Sequence, residues 1–446
     1  MIQAGRTIAA VATPPGRGAV GIVRVSGPLA APVALRLLGK LPEARRALWT
    51  DFRAGTGDVI DRGLALYFPA PNSYTGEDVL ELQAHGGPAI LRLLVQEACA
   101  LGAEPARPGE FTERAFLNGK LDLLQAEAVA MLIEAGNAHA ARAAARACAG
   151  EFSRAAQTLT ARLRRARVLL EAGIDFGDDV EQGFDEAAAI LGEAAGGLQD
   201  LLKDAEAGVR LSGGIDVAIV GAPNSGKSTL LNRLCGEERA IVTPIAGTTR
   251  DVLSVDVTID GIEFRFHDTA GLRETEDLIE QEGVRRARRV LAETDLVLHL
   301  HAEESASCPD PSVAIATVPG QRYLEVRNKI DLVGENARRE ETPRGPRLNL
   351  SALTGEGLPL LRTTLWELAG GMAVADAPFA ARTRHVHALQ GVLVALEAAR
   401  VELAAGAAEL CCEELRRATR LMEELTGEWT TEDLLGEIFG SFCIGK

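Results

Sequence analysis

The spacing of apolar residues divides the first half of the chain into two segments. In residues 7–118, short apolar runs alternate with turn residues, a pattern typical of strands. The strands predicted there are 20–25, 63–68 and 78–84. In residues 122–211, Ala, Leu, Arg and Glu recur at helical spacing, with few breakers outside 173–183. We therefore expect an α+β module followed by long amphipathic helices.

The second half begins with a different pattern, in which apolar strands alternate with helices up to about residues 368–371. The strands predicted there are 215–220, 259–267, 295–300 and 323–327. This alternation predicts a doubly wound α/β domain. After Phe379 the helical pattern returns, so the α/β domain is expected to interrupt one all-α domain. The expected boundaries are 1–118, 119–213, 214–373 and 374–446.

Composition narrows the function classes. The chain has 446 residues, with 63 acidic and 47 Lys plus Arg side chains and a net charge of −16, which excludes a broadly basic nucleic-acid binder. Residues 1–120 are the one segment without a net negative charge, and their net charge is +2. The seven cysteines lie far apart except for the adjacent Cys411 and Cys412, which predicts a reduced protein, and no apolar run reaches the length of a membrane helix. We expect a cytoplasmic protein with several domains.

A phosphate-binding motif follows the first strand of the α/β domain. Residues 221–228 read G-A-P-N-S-G-K-S, between an apolar strand and a helix predicted at 229–234. Backbone N–H groups of such a loop surround phosphate, while Lys227 reaches the terminal phosphates and the Ser228 hydroxyl binds Mg²⁺. The sequence therefore predicts a nucleotide site at this loop.

Three further motifs, each at a strand end, identify the nucleotide as GTP. D-T-A-G at 268–271 places a carboxylate near Mg²⁺ and an amide near the γ-phosphate, and N-K-I-D at 328–331 follows a later strand. Asp331 can accept hydrogen bonds from the guanine N1–H and 2-amino groups, which adenine does not offer. Ser351 and Ala352 begin a loop that closes over the base.

Residues 241–251 lie where GTPases carry a switch that senses the γ-phosphate. Thr249 is the expected second Mg²⁺ ligand, with Thr248 as its rival. The position after D-T-A-G holds Leu272, which cannot orient water, so another group such as Glu280 must do so. The predicted GTP contacts are Asn224, Ser225, Gly226, Lys227, Ser228, Thr229, Thr243, Pro244, Ile245, Ala246, Gly247, Thr248, Thr249, Asp268, Thr269, Ala270, Gly271, Asn328, Lys329, Asp331, Ser351 and Ala352.

Asn224 is an unusual residue in the phosphate loop. Its amide oxygen can coordinate a monovalent cation beside the phosphates, and that cation would neutralise charge that an arginine finger otherwise meets. Arg250 and Arg273 are the alternative fingers.

Longer motifs are distributed over essentially the whole chain. They include A-T-P-P-G-R-G-x-V-G-I at 12–22, P-N-S-Y-T-G-E-D-V-L-E-L-Q at 71–83 and H-G-G-P at 85–88. They continue with A-R-P-G-E-F-T-E-R-A-F-L-N at 106–118 and T-G-E-W-T-T-E-D-L-L-G-E-I-F-G-S-F-C-I-G-K at 426–446. Together these motifs resemble the MnmE (TrmE) family of tRNA-modification GTPases.

The resemblance implies a homodimer with a folate-binding N-terminal domain, a helical domain built from two chain segments, and an inserted G domain. With a flavin-containing partner of the MnmG (GidA) type, whose FAD stays on the partner, such proteins add an aminomethyl-type group, such as carboxymethylaminomethyl, to C5 of the wobble uridine of certain tRNAs. The one-carbon unit comes from a tetrahydrofolate, as a 5-formyl or methylene derivative. GTP hydrolysis then involves transient dimerisation of G domains across K⁺-stabilised switches.

The resemblance also implies residue roles. Asn224, Thr243, Ile245 and Thr248 become K⁺ ligands, and Glu280 becomes the water-activating glutamate. Arg24, Glu81, Lys120 and Lys446 become folate contacts, although each alone would read as a surface charge. Arg24 and Lys120 can bind the glutamyl carboxylates of a folate, and Glu81 can accept hydrogen bonds from the amino and ring N–H groups of its pterin. Cys443, in the terminal C-I-G-K, is a candidate nucleophile or proton donor, or else a buried inert thiol.

A second function class shares the nucleotide motifs: a GTP-switched RNA-binding or ribosome-assembly factor without one-carbon chemistry. Such a factor is expected to carry a basic RNA-binding module. Residues 374–446 carry a net charge of −5 instead, and this favours the modification enzyme.

Overall fold

The computed structural model describes residues 5–176, 181–237, 254–268, 294–302 and 321–445. These residues belong to two compact units. The first unit comprises Met1–Ala130, Ala147–Leu198 and Ala388–Lys446, and the second comprises Met131–Arg146 and Gln199–His387.

The N-terminal part of the first unit is a six-stranded sheet. Its strands are β1 (Ile8–Val11), β2 (Val20–Ser26), β3 (Leu48–Arg53), β4 (Val59–Phe68), β5 (Val79–His85) and β6 (Glu104–Pro105). The order is β3-β4-β5-β2-β1-β6, antiparallel except for the parallel pair β1–β6. The α+β prediction is confirmed, and the three predicted strands correspond to β2, β4 and β5.

Strand alternation gives this sheet two different faces. Val23 and Leu82 belong to a buried core formed with the helices α1 (Ala30–Leu38) and α2 (Pro88–Ala100). On the other face, Ile8 and Ala10 pack with Phe111 of the helix α3 (Glu110–Leu117). Because neighbours in a strand point to opposite faces, Arg24 and Glu81 lie on the α3 side, away from the main core.

Four helices follow, as the apolar spacing predicted. They are α4 (Leu123–Glu134), α5 (Ala138–Cys148), α6 (Glu151–Phe176) and α7 (Glu181–Gly213).

The second unit contains a seven-stranded sheet. Its strands are β7 (Ile215–Val220), β8 (Ser254–Ile259), β9 (Ile262–Asp268), β10 (Leu296–Ala302), β11 (Arg322–Asn328), β12 (Arg338–Thr342) and β13 (Gly345–Asn349), in the order β12-β13-β11-β10-β7-β9-β8. The five inner strands are parallel, and β8 and β12 are antiparallel edges. The doubly wound α/β prediction is confirmed.

One strand prediction in this sheet is wrong at its start. The strand predicted at 259–267 is divided by a turn in which Asp260 and Gly261 have φ of 45° and 87°, so Ile259 ends β8 and Ile262 begins β9. The helices α8 (Lys227–Glu237), α9 (Leu358–Ala369) and α10 (Met372–Ala375) complete this part.

The remaining helices are α11 (Thr383–Ala404), α12 (Ala408–Thr426) and α13 (Glu432–Gly440). Within the first unit α12 packs along α6. Arg164 of α6 bonds Glu423 at 2.8 Å and Glu428 at 2.7 Å. Helices that precede and follow the α/β segment in sequence therefore pack together, as expected for an interrupted helical domain.

Candidate functional site

The phosphate loop lies at the carboxyl edge of the second sheet. The loop joins β7 to α8, and β7 lies between β9 and β10 in the sheet. In sheets of this class, a crevice that can bind a ligand opens at the carboxyl ends of the strands, at the point where the strand order reverses. Asn224 and Gly226 have positive φ, 64° and 102°. At Gly226 a Cβ would collide with the Asn328 side-chain amide, so only glycine allows this approach.

Lys227 and Ser228 begin α8 at the mouth of this loop. The Lys227 ammonium is almost buried and donates to the carbonyl oxygens of Gly221, at 2.8 Å, and Ala222, at 2.9 Å. Ser228 is exposed in the first turn of the helix. The Lys227 ammonium, held by the loop, and the Ser228 hydroxyl, at the helix N-terminus, fit a triphosphate group with bound Mg²⁺.

Asn328 joins three of the nucleotide motifs. Its Nδ2 donates to the Ser225 carbonyl oxygen at 2.8 Å, and its Oδ1 accepts from the Ala352 amide at 2.9 Å. Lys329 adopts a left-handed conformation, with φ of 68°, and Asp331 is exposed in the short 3₁₀ turn Ile330–Leu332. The phosphate loop, N-K-I-D and the Ser351–Ala352 loop therefore meet at one place, as the sequence predicts.

Several predicted nucleotide residues lie outside the described residues. For Asp268 the backbone is described, at the end of β9, and the side chain is not. The others outside are Thr243, Pro244, Ile245, Ala246, Gly247, Thr248, Thr249, Arg250, Thr269, Ala270, Gly271, Leu272, Arg273 and Glu280.

The N-terminal sheet brings two predicted folate contacts together. Arg24 of β2 and Glu81 of β5 are cross-strand partners, and Arg24 Nε donates to Glu81 Oε1 at 2.9 Å. The Arg24 guanidinium lies 5.4 Å from the ring centroid of Tyr74 and 5.6 Å from that of Phe111. This pair, flanked by two rings, is only about one-fifth exposed, so it offers charge and flat apolar surface in one place.

Lys120 lies on the segment after α3. Its Nζ donates to the Pro71 carbonyl oxygen at 3.1 Å, which holds it beside the loop that contains Tyr74. Among the described residues no hydrogen bond or ion pair joins Lys120 to Arg24 or Glu81.

A buried arginine that sequence reasoning missed holds the segments around this pair. Arg114 of α3 is 3% exposed and bonds Glu77 Oε2 at 3.0 Å, Glu110 Oε1 at 3.0 Å and the Arg6 carbonyl oxygen at 2.7 Å. Burial acts to raise the pKa of Glu110, but hydrogen bonds from the Arg107 amide and from Arg114 hold that pKa below its usual range. Arg114 thus fixes both the loop of Tyr74 and the start of the helix of Phe111.

The tyrosine of this site is itself constrained. Its hydroxyl forms a hydrogen bond of 2.9 Å with Thr112 Oγ1. Burial raises the pKa of Tyr74 above its ordinary value, so the phenol is neutral at physiological pH. Tyr74, Phe111 and Arg114 all lie inside the motifs 71–83 and 106–118, which was the only signal available in the sequence.

The C-terminal tail lies against the N-terminal sheet within the first unit. Ile444 forms a β-bridge with Pro108, and the Cys443 carbonyl oxygen accepts from the Gly109 amide at 3.4 Å. Gly445 approaches the Val11 carbonyl so closely that a Cβ would collide with it. Cys443 is exposed, so the alternative of a buried thiol is wrong. Lys446 lies outside the described residues.

The fold and the linked nucleotide motifs define a P-loop GTPase of the doubly wound α/β class, carried between helical segments and preceded by an α+β module. Two family models match the chain. The MnmE helical domain matches residues 123–443, and the N-terminus of the GTP-binding protein TrmE matches residues 7–120.

Full-length relatives agree with these matches. The tRNA modification GTPase MnmE of Nitrosococcus oceani is 48% identical over 446 residues, covering 99% of this chain and 97% of the relative. The protein of the same name from Stutzerimonas stutzeri is 49% identical over 457 residues, covering all of both chains. This chain therefore belongs to the MnmE (TrmE) family.

Solved structures were also compared with the chain. The Aquifex aeolicus Era structure, bound to GDP and AlF4⁻, is 27% identical, covers 41% of this chain and 66% of its own, and has a TM-score of 0.28. A likeness of that size supports no conclusion here. Among the described residues no helix is both long and apolar enough to cross a membrane.

Proposed function

We propose that this protein hydrolyses GTP as part of tRNA modification, at C5 of the wobble uridine. Its membership of the MnmE family makes it a GTP-hydrolysing enzyme of tRNA modification. The observation that carries the GTPase assignment is Asn328, whose side chain ties the phosphate loop to the base-side loop.

The described residues support a separate role for each side chain of the nucleotide site. Lys227 meets the terminal phosphates, and Ser228 with Thr249 binds Mg²⁺. Asp331, exposed in the 3₁₀ turn that follows β11, accepts hydrogen bonds from guanine. The test is phosphate release by the purified full chain with GTP, ATP and xanthosine triphosphate. Asp331→Asn should transfer preference from GTP to xanthosine triphosphate, whose 2-oxo group accepts where guanine donates. An unchanged preference would contradict the role of Asp331.

The K⁺ requirement is the next part of the proposal. Asn224 is exposed in the phosphate loop with a left-handed backbone, which leaves its amide oxygen available to a cation beside the phosphates. Thr243, Ile245 and Thr248 supply the other oxygens, and Glu280 activates water. G domains of two copies meet across these switches during hydrolysis.

The N-terminal site is proposed to take a 5-formyl or methylene tetrahydrofolate. Arg24 fixes the Glu81 carboxylate by a direct hydrogen bond, so the pterin N–H groups meet an acceptor that is already oriented. The Tyr74 and Phe111 rings supply flat surface, Lys120 with Arg24 meets the glutamyl carboxylates, and Lys446 is a further folate contact. The backbone of Cys443 lies beside Gly109, next to α3, and an exposed thiol there suits a nucleophile or proton donor.

The remaining features of the proposal are those that the family resemblance implies. The chain works as a homodimer through its N-terminal domain, residues 1–118, with the helical domain at 119–213 and 374–446 and the G domain at 214–373. The flavin-containing partner supplies redox chemistry and tRNA is the substrate, and both support a cytoplasmic location.

One experiment separates this proposal from the assembly-factor alternative. Isothermal calorimetry of the full chain with 5-formyl-tetrahydrofolate should show saturable binding. Absence of binding by a preparation that still hydrolyses GTP would favour the assembly factor.

A further inference from the structure

The helix that leaves the phosphate loop carries one arginine, Arg233. Its Nη2 donates to the carbonyl oxygen of Leu353 at 2.7 Å. Leu353 follows Ser351 and Ala352 in the loop that closes over the base. Arg233 therefore connects α8 directly to the base-side loop, although it belongs to no nucleotide motif.

The guanidinium also lies against the far side of the same turn. Its Nη2, Nε and Cζ stand 3.6, 3.7 and 3.8 Å from the position that a Cβ of Gly355 would occupy. The Gly355 amide donates to the Ser351 carbonyl oxygen at 2.9 Å and closes the turn. Arg233 thus bonds the outgoing limb of the loop at Leu353 and lies beside the returning limb at Gly355.

The tip of this loop is closed on itself by hydrogen bonds from the Thr354 amide to Ser351 Oγ at 3.2 Å and from the Glu356 amide to Thr354 Oγ1 at 3.3 Å, and these bonds do not tie it to the rest of the domain. Leu353 is 71% exposed and Thr354 is also exposed, so burial of apolar side chains does not fix the tip. Asn328 holds the Ala352 end. Arg233 is a second, separate link, and it bonds the backbone carbonyl at the tip, whose position does not depend on the leucine side chain.

We propose that Arg233 is a positioning residue for the guanine site. It holds the tip of the base-side loop over the bound base and couples that loop to the helix whose N-terminus meets the phosphates. The inference rests on the proposed binding of guanine nucleotides at this site. Arg233 acts through the loop and does not itself contact the nucleotide. Because it restrains loop opening after binding, its removal should act on dissociation.

The test is stopped-flow binding of N-methylanthraniloyl-GDP to the full chain. Arg233→Met should release the nucleotide about tenfold faster, the effect of losing one charge-assisted hydrogen bond, with association little changed. Arg233→Lys should recover much of the loss, because its ammonium can still donate to the carbonyl oxygen. The matched control is Arg339→Met, since Arg339 lies on the edge strand β12 and pairs with Glu341 of the same strand and Glu367 of α9.

Inosine diphosphate distinguishes positioning from collapse of the site. It lacks the 2-amino group that faces Asp331, so wild type should prefer GDP. Arg233→Met should weaken both nucleotides by the same factor and keep that preference. Equal dissociation rates in wild type and Arg233→Met, or loss of the preference, would overturn the inference. Failure of wild type to bind any guanine nucleotide would instead overturn the proposed function.

Discussion

The nucleotide site is organised by hydrogen bonds from side chains to the main chain, whereas the N-terminal site is organised by bonds between side chains. In the nucleotide site, side chains such as Lys227 and Asn328 bond backbone carbonyls and amides, so the loop's own main chain is organised for the ligand. In the N-terminal site, Arg24 bonds the Glu81 side chain, and Arg114 bonds two carboxylates behind it. A site made of main chain requires fixed sequence spacing, whereas a site made of side-chain pairs requires only that distant segments meet.

The largest expected effect tests whether the two sites act independently. Lys227→Ala should slow GTP hydrolysis by about 100- to 1,000-fold, because it removes a preorganised charge from the phosphates. Affinity for 5-formyl-tetrahydrofolate should stay within about twofold, since the ion pairs of the N-terminal site are untouched. Phosphate release and calorimetry measure the two, with the exposed Lys203→Ala as control. A parallel loss of folate affinity would show that the sites are not separable.

The next effect sharpens the account of the phosphate loop. Replacing K⁺ with Na⁺ at equal ionic strength should slow hydrolysis by about tenfold or more, because a smaller, more strongly hydrated ion fits the oxygen cage less well. Asn224→Ala should remove the difference between the two salts. Equal wild-type rates in K⁺ and Na⁺ would eliminate the cage.

A smaller effect is expected at the N-terminal site. Arg24→Ala should weaken 5-formyl-tetrahydrofolate by about tenfold, because Glu81 loses the partner that orients it and the rings lose the cation between them. Arg36→Ala is the control, as Arg36 lies on α1 and bonds the Gly55 carbonyl oxygen. Titration calorimetry gives both affinities. Equal losses in the two variants would remove Arg24 from the site.

The smallest effect separates the Tyr74 ring from its hydroxyl. Tyr74→Phe keeps the ring beside Arg24 and loses only the bond to Thr112, so it should reduce the free energy of unfolding by about 1 kcal/mol and folate affinity by at most about twofold. Tyr74→Leu should weaken folate more, because it removes the ring. Urea unfolding and calorimetry distinguish these results. If the phenylalanine variant were as weak as the leucine variant, the hydroxyl would be the important group.

The same contrast explains how much the sequence could predict. The four nucleotide motifs are readable because phosphate, Mg²⁺ and guanine each require a particular group at a strand end, and the structure brings the described members together through Asn328. The fold class could also be predicted, since helical and alternating apolar spacing differ along the chain. These inferences depend only on neighbours in sequence.

The failures have different causes. The turn at Asp260–Gly261 was missed although an Asp-Gly pair between alternating apolar residues is itself a local hairpin signal. Strand β12 was missed because all of its residues are charged or polar, with ion pairs such as Arg338–Glu340 in place of apolar alternation. Tyr74 and Arg114 come from separate segments, and no spacing relates them to Arg24 before the sheet forms.

The tail contact has a consequence for synthesis. Ile444 and Gly445 rest on Pro108 and Val11, residues of a module that leaves the ribosome long before residues 444 and 445 do. Translation of the entire GTPase segment intervenes before these partners exist together. The module therefore lacks one of its contacts until residues 444 and 445 are made, so a nascent or clipped chain with an intact nucleotide site would still have an incomplete N-terminal surface.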